Sequence, residues 1–294
     1  MAFGAALPQT GRMRCGWLGL IAALLCSGCL SWGNASQWDG VPQQVRSWEW
    51  ILEEGAAPRT PPAVDFLGLD AFDTEAAYVS AAAANGTVWC SLSVGTAEDF
   101  RDDWAEFVVR DNAQVDAGEA PILSGELADW PGERWLNAAE YEAFLDLIAA
   151  RFRMCADKGF AWVELDHMDG YANPAGFAVT EQDARTYVAA LVSEAQQRGL
   201  GVLHKNAEAL IDDLEPSMDG LLMEGCVLDG FCGDGEPFLV AGKPVFDVEY
   251  PEDWRAAGRD VDVDAICEEG EAAGANVILK TRELDARTIV CAAR

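Results

Sequence analysis

The chain has 294 residues, half of them hydrophobic, with 50 acidic against 20 basic side chains and a formal net charge of −30. That length holds one large α/β domain or two small ones. That charge repels nucleic acid and anionic membrane surfaces and draws in cationic ligands.

Residues 1–35 read as an export leader outside the fold, leaving 36–294 as a single domain. Arg12 and Arg14 form a basic start, and residues 16–26 form an apolar core too short to span a bilayer comfortably. Cys26-Ser27-Gly28-Cys29 resembles a lipobox with Cys29 as the lipidated residue. Gly33-Asn34-Ala35 is a small-residue cleavage site for a free form beginning near Ser36. Both routes place the domain outside the cytoplasm, secreted or at the cell surface or periplasm. A lipid on Cys29 is the one membrane attachment expected. Export leaves six of the nine cysteines in the domain, an even number in an oxidising compartment. Cys226/Cys232 closes a short loop, Cys267/Cys291 ties down the C-terminus, and Cys90/Cys155 follows by subtraction. Buried free thiols are the competing reading. No CxxC pair among the six supports a zinc site.

Eight strand-length apolar runs follow: Ser47–Leu52, Ala63–Phe72, Thr87–Val94, Phe160–Asp166, Leu200–Asn206, Asp219–Gly225, Pro244–Tyr250 and Ala275–Thr281. Between them, Glu75–Asn85, Ala138–Lys158, Glu181–Arg198, Ala207–Leu214 and Val263–Ala273 carry apolar residues at helical spacing. Strands alternating with helices imply a parallel sheet, and eight repeats imply an α/β fold of the (β/α)8 TIM-barrel type. An open doubly wound sheet is the alternative, but no Gly-rich phosphate loop follows the first strand. Residues 98–134 break the rhythm as a long connection rich in Trp, of which at most one of Trp104, Trp130 and Trp135 is expected to touch a ligand.

The strand ends carry the chemistry. In Phe160–Asp166 the period of two puts Trp162, Glu164 and Asp166 on one face and Ala161, Val163 and Leu165 on the other. An apolar outer face with an acidic inner face is the pattern of a barrel strand near its active end. Glu164, Asp166 and Asp169 are three acids within six residues, which a core does not accept without a use. Asp70, Lys205-Asn206, Glu224 and Glu249-Tyr250 stand at the ends of four other runs. A merely solvated acidic loop is the bland reading, disfavoured because Glu164 lies inside the apolar run.

These residues recur in order in a known family. Val64-Asp65 with Asp70, Ser93-Val94-Gly95-Thr96 with Glu98, and Arg101-Asp102 come first. Then follow Trp130-Pro131-Gly132-Glu133-Arg134-Trp135-Leu136, Val163-Glu164-Leu165-Asp166 with Asp169-Gly170-Tyr171, Lys205-Asn206, Glu224 with Cys226, and Val248-Glu249-Tyr250. Together they resemble the endo-α-1,4-polygalactosaminidases, glycoside hydrolase family 114, from about Trp38 to the C-terminus. The resemblance implies a (β/α)8 barrel that cleaves α-1,4-linked galactosamine polymers without a cofactor or metal. It places the paired carboxylates on Asp166 and Glu224. Substrate contacts are then expected from Asp70, Asp169, Tyr171, Lys205, Asn206 and Tyr250, with Asp70 and Asp169 facing sugar amines. Lys205 is expected to hold one carboxylate ionised while the other stays protonated as the acid. The expected partner is a cationic amino-sugar polymer, not nucleic acid, and the expected state is a monomer. The chain departs from the family at Leu165 and His167 beside the first carboxylate, at Met223 and Gly225 beside the second, and at Asn137 after Trp135-Leu136.

Two alternatives stand beside this reading. One is an amino-sugar-binding lipoprotein without activity on the same barrel. The other is a metal-dependent hydrolase or deacetylase using His167 and His204, for which no HxH or HExxH spacing exists. A serine hydrolase is disfavoured by the lack of GxSxG.

Overall fold

Eight parallel strands coincide with the eight apolar runs. The computed structural model describes residues 47–127 and 130–291; the leader reading of residues 1–35, with Cys29, lies outside them. The strands are β1 (Trp48–Ile51), β2 (Phe66–Asp70), β3 (Thr87–Ser93), β4 (Thr96–Glu98), β5 (Leu123–Glu126), β6 (Glu133–Leu136), β7 (Trp162–Asp166), β8 (Gly201–Lys205), β9 (Gly220–Glu224), β10 (Val245–Glu249), β11 (Asn276–Leu279) and β12 (Ile289–Val290). The main sheet runs β1-β2-β3-β7-β8-β9-β10-β11-β12, parallel throughout except for the last, antiparallel pair. The helices are α1 (Ala76–Ala82), α2 (Trp104–Ala117), α3 (Leu145–Lys158), α4 (Glu181–Gln196), α5 (Ile211–Leu214), α6 (Cys226–Asp229), α7 (Glu236–Val240), α8 (Pro251–Ala256) and α9 (Val263–Ala272).

The sheet curls, and its two ends approach each other through specific bonds. Trp48 Nε1 on β1 donates to Asn276 O on β11 at 2.9 Å, and Leu52 N donates to Leu284 O at 2.9 Å. Lys280, just past β11, places its buried ammonium 2.5 Å from the Glu49 carboxylate. Among the described residues no backbone ladder joins β1 to β11.

Strand alternation sorts the core into two layers. Outward residues pack under the helices, and Val163 and Leu165 of β7 share one buried cluster with Val188 and Leu191 of α4. A reciprocal capping box starts α4: Thr180 N donates to the Asp183 carboxylate at 2.9 Å, and Asp183 N donates to Thr180 Oγ1 at 3.2 Å. Inward residues form an aromatic cluster of Trp48, Phe66, Trp89 and Phe246, with ring centroids 5.0–6.0 Å apart. Gly68 makes this packing possible, because a Cβ there would lie 2.3 Å from the Trp89 ring and 2.4 Å from Trp50. The cluster fills the interior towards the strand starts, so the inward polar groups collect at the C-terminal ends.

Residues 98–134, which break the alternation of strands and helices, hold helix α2 and contribute to a three-stranded antiparallel sheet, β4-β6-β5. Two arginines fix it to the main sheet. Arg151 on α3 pairs with Glu98 at 2.9 Å and Asp103 at 2.7 Å, and donates to Ser93 O at 2.9 Å. Arg101 pairs with Asp70 at 2.6 Å and with Asp73 and Glu98 at 3.3 Å.

Three disulfides, Cys90–Cys155, Cys226–Cys232 and Cys267–Cys291, match the pairing read from the sequence, and suit an oxidising, extracellular compartment. Among the described residues no helix is long and apolar enough to cross a membrane. The separations of 65, 24 and 6 residues rank the loop-closure effects. The expected stability losses on double Cys→Ala replacement are about 4, about 3.5 and about 2 kcal/mol respectively. Urea denaturation of the three variants checks the order, and a Cys226/Cys232 variant destabilised more than the Cys90/Cys155 variant would reverse it.

Candidate active site

The C-terminal ends of the parallel strands open into a cleft of about 790 Å³. Its floor is built by strand periodicity. Asp166 ends β7, Lys205 ends β8 and Glu224 ends β9, all on the inward face of neighbouring strands. The Lys205 ammonium lies 2.9 Å from Asp166 Oδ1 and 2.8 Å from Glu224 Oε2, and over the Trp50 indole at 5.2 Å. The two bridged oxygens are therefore separated by no more than the sum of those contacts, under about 6 Å.

Each carboxylate has its own set of donors. Asp166 Oδ1 also accepts from His167 N at 2.7 Å, and His167 Nδ1 stands 3.6 Å from its other oxygen. Glu224 accepts from Tyr250 Oη at 2.6 Å and from Asn206 Nδ2 at 3.1 Å, while Glu224 N donates to Asn206 Oδ1 at 2.9 Å. Burial alone would push both acids up. For Asp166, His167 and Lys205 outweigh it and bring the carboxyl down to about 2. For Glu224, Lys205 outweighs it, with help from Tyr250, and holds the carboxyl below its ordinary range. The expectation that one of the pair stays protonated is thus not met in the free protein, because one ammonium serves both.

The backbone around this pair is constrained. His167 adopts φ 60, and its carbonyl oxygen would be 1.6 Å from a Cβ at position 95, so Gly95 admits the turn. The His167 ring meets Trp135 edge-on at 5.6 Å and Ser93 Oγ at 3.2 Å. Behind Glu224, the short α6 is held by outward-facing acids of β10. Asp247 accepts from Cys226 N at 3.1 Å, and Glu249 accepts from Val227 N at 2.8 Å. Their position at a strand end suggests a place in the cleft, but the alternation turns both the other way.

Of the other expected contacts, Asp70, Asp169, Asn206 and Tyr250 line the cleft and Tyr171 does not. Tyr171 packs on the outer core instead. Burial, with Asp169 and Glu208, pushes its hydroxyl up to about 12. Asp70 is engaged by Arg101 and by the N–H groups of Phe72 and Asp73, both at 2.8 Å, so it is not a free partner for an amine. Among the described residues the Asp169 carboxylate is partnered by the neutral Asn173 amide at 2.8 Å and by no cation. Trp130 and Trp135 line the cleft, and Trp104 packs against the core. Trp50, beneath Lys205, was missed, and its place at the end of the first run is the signal that could have found it.

The two histidines do not converge. His167 lines the cleft, whereas His204 lies on the face of β8 opposite Lys205, fully buried, with burial bringing it down to about 4. Cys226, Cys232 and Asp247 come within metal-holding distance of one another, but both sulfurs are in a disulfide and offer no thiolate.

The model of glycoside-hydrolase family GH114 matches residues 30–294. The chain belongs to this family. It is a glycoside hydrolase. Among solved structures, this GH114 chain is similar to Ega3 of Aspergillus fumigatus, crystallised in complex with galactosamine. The TM-score is 0.74 at 26% identity, covering 88% of this chain and 100% of Ega3. The glycoside hydrolase domain of PelA from Pseudomonas aeruginosa shares the fold, with a TM-score of 0.57 at 18% identity, covering 83% of this chain and 98% of that domain. No curated protein sequence matches the chain.

Proposed function

We propose that this GH114 chain is an exported endo-acting hydrolase of α-1,4-galactosaminide linkages in a cationic amino-sugar polymer. The observation that carries the reading is the Asp166–Lys205–Glu224 bridge on the floor of an acid-lined cleft. The cleft cations Arg101, Lys205 and Arg282 are each paired with carboxylates. Glu53, Glu126, Glu133, Asp169 and Glu283 line the same cleft and form no ion pair among the described residues. The uncompensated charge of the walls is therefore negative, which suits a polyamine. Ega3, the relative bound to galactosamine, supports the sugar class.

The main sheet fits a (β/α)8 barrel whose seam is the Trp48–Asn276 and Glu49–Lys280 contacts. The domain acts as a monomer, exported by the leader of residues 1–35 and released near Ser36 or held by a lipid on Cys29.

The bridge geometry favours retention. Retaining glycosidases keep their carboxyls about 5–5.5 Å apart and inverting ones about 6.5–9.5 Å. Asp166, held ionised by Lys205 and His167, attacks the anomeric carbon. Glu224 gives its proton to the leaving oxygen as the glycosidic bond breaks. Water then attacks the same carbon, returning a proton to Glu224 and releasing Asp166. Glu224, held below its ordinary range by Lys205 in the free protein, takes up its first proton from water before the glycosidic bond breaks. Tyr250 and Asn206 keep its carboxyl oriented.

The expected result is cleavage of α-1,4-linked galactosamine oligomers with kcat/KM about 10-fold or more above that for their N-acetylated forms, an advantage that shrinks as salt rises. Product analysis over a panel of free and acetylated oligomers at low and high ionic strength checks it. Equal rates, or a preference for the acetylated chain, would remove the cationic substrate. Tight binding with no turnover would make the protein an amino-sugar-binding lipoprotein.

A further inference from the structure

Beneath the bridge lies an acid that the mechanism above does not use. Glu164 shares the inward face of β7 with Asp166, one alternation deeper, and is 1% exposed. Its Oε2 accepts from Ser91 Oγ at 2.5 Å and from Trp89 Nε1 at 2.8 Å. Ser91 Oγ in turn accepts from Trp50 Nε1 at 2.8 Å, and Trp50 is the indole under Lys205. Glu164 Oε1 is buried without a hydrogen-bond partner. An ionised carboxylate left half-satisfied in such a place is costly, whereas a neutral carboxyl is tolerated. Burial pushes Glu164 up to about 7, with Lys205 opposing and Asp166 adding to the rise.

The groups facing Glu164 come from four strands. Asp166 is on its own strand, Lys205 on β8, Ser91 and Trp89 on β3, and Trp50 on β1 behind Ser91. Glu224 of β9 lies beyond Lys205. Lys205 is the only cation among these groups.

The geometry points to Glu164 as a positioning residue: neutral in the working enzyme, it leaves the Lys205 ammonium to Asp166 and Glu224, and once ionised it competes for that ammonium and disables the pair. The proton involved is exchanged with water, and no bond to the sugar is made. The inference rests on the assignment of Asp166 and Glu224 as the catalytic pair.

Two readouts test it: the pH profile of kcat/KM on galactosamine oligomers, and tryptophan emission without substrate, since Trp89 touches the titrating carboxyl. The wild type should show an alkaline limb and an emission change near pH about 7. Glu164→Gln stays neutral, so its limb should move up by about one pH unit or more, whatever the height of its plateau. Ser91→Ala removes a donor to the ionised form and should move the limb the same way. Asp166→Asn removes a like charge and should move the emission titration down. A limb unchanged in Glu164→Gln, or an emission titration that persists in it, would overturn the inference. If the wild type cleaves no galactosaminide yet its emission responds to Glu164→Gln and Asp166→Asn as stated, the functional reading fails and the coupling of Glu164 to Asp166 stands.

Discussion

Asp166→Asn and Glu224→Gln should each lower hydrolysis of galactosamine oligomers by about 10³-fold or more while the fold survives. A positioned acid or base contributes about 10²–10⁴-fold, and a nucleophile that forms the intermediate contributes at least as much. Both replacements keep shape and remove only the ionisable oxygen. In either variant Lys205 retains one of its two carboxylate partners, so no lone charge is stranded in the floor. The two variants separate the roles. A substrate whose leaving group departs without protonation should recover much of the rate in Glu224→Gln, since only the acid is missing. It should recover little in Asp166→Asn, where no nucleophile remains. Near wild-type turnover in either variant would break the assignment. Recovery in Asp166→Asn alone would exchange the two roles.

The main sheet was legible because each strand is a short apolar run closed by polar residues, and strand alternation alone places Trp162, Glu164 and Asp166 together. Helix α2 was not, for a physical reason: of its residues only Phe107 is buried, so it carries no apolar stripe to read. The same rule of two that found Asp166 explains the strand-end acids that missed the cleft. Asp247 and Glu249 end a run with the right chemistry, but their positions alternate with Phe246 and Val248, which face inward. Tyr171 lies beyond the strand, where alternation gives no guidance. Site residues were easier to find than their pairings. Asp70 was legible as a strand-end acid, but its capture by Arg101 depends on how the insert folds back. The sharing of Lys205 depends on register across β7, β8 and β9, which pairs Leu165 with His204 and Lys205 with Leu222. A reading that gives the lysine one carboxylate leaves the other free to stay protonated. Placing it between both makes the resting pair doubly ionised.

Lys205→Met should therefore damage both activity and stability, with a pH dependence that identifies the cause. The ammonium is buried and its pKa is raised: burial opposes the charge, and Asp166 and Glu224 outweigh burial. Removing it leaves two carboxylates close together over Glu164, with only the His167 ring beside Asp166 at 3.6 Å. Breaking one side of a buried ionic cluster costs about 3–5 kcal/mol. Methionine fills the stem volume, so the loss reads the charge and not a cavity. In the wild type, Asp166 titrates at about 2 in the fold against an ordinary 3.8. Its contribution to stability is present above 3.8 and lost as pH falls through about 2. Without Lys205 the sign reverses. Glu224 rises above its unfolded value and Asp166 keeps only His167 against its burial, so the fold binds more protons than the unfolded chain and stability falls as pH climbs from about 4 towards 8. Urea denaturation at about pH 5 and about pH 8 should show a deficit that is larger at the higher pH. Activity should drop by about 10²-fold or more, because the pair loses the charge that, together with His167, keeps Asp166 ionised and alone orients it against Glu224. Lys205→Arg restores the charge but offers a planar fork where the site needs a point between two oxygens, so it should recover stability better than rate. A Lys205→Met protein with a deficit independent of pH, or with wild-type rate, would show that the bridge is not what sets the ionisation of the pair.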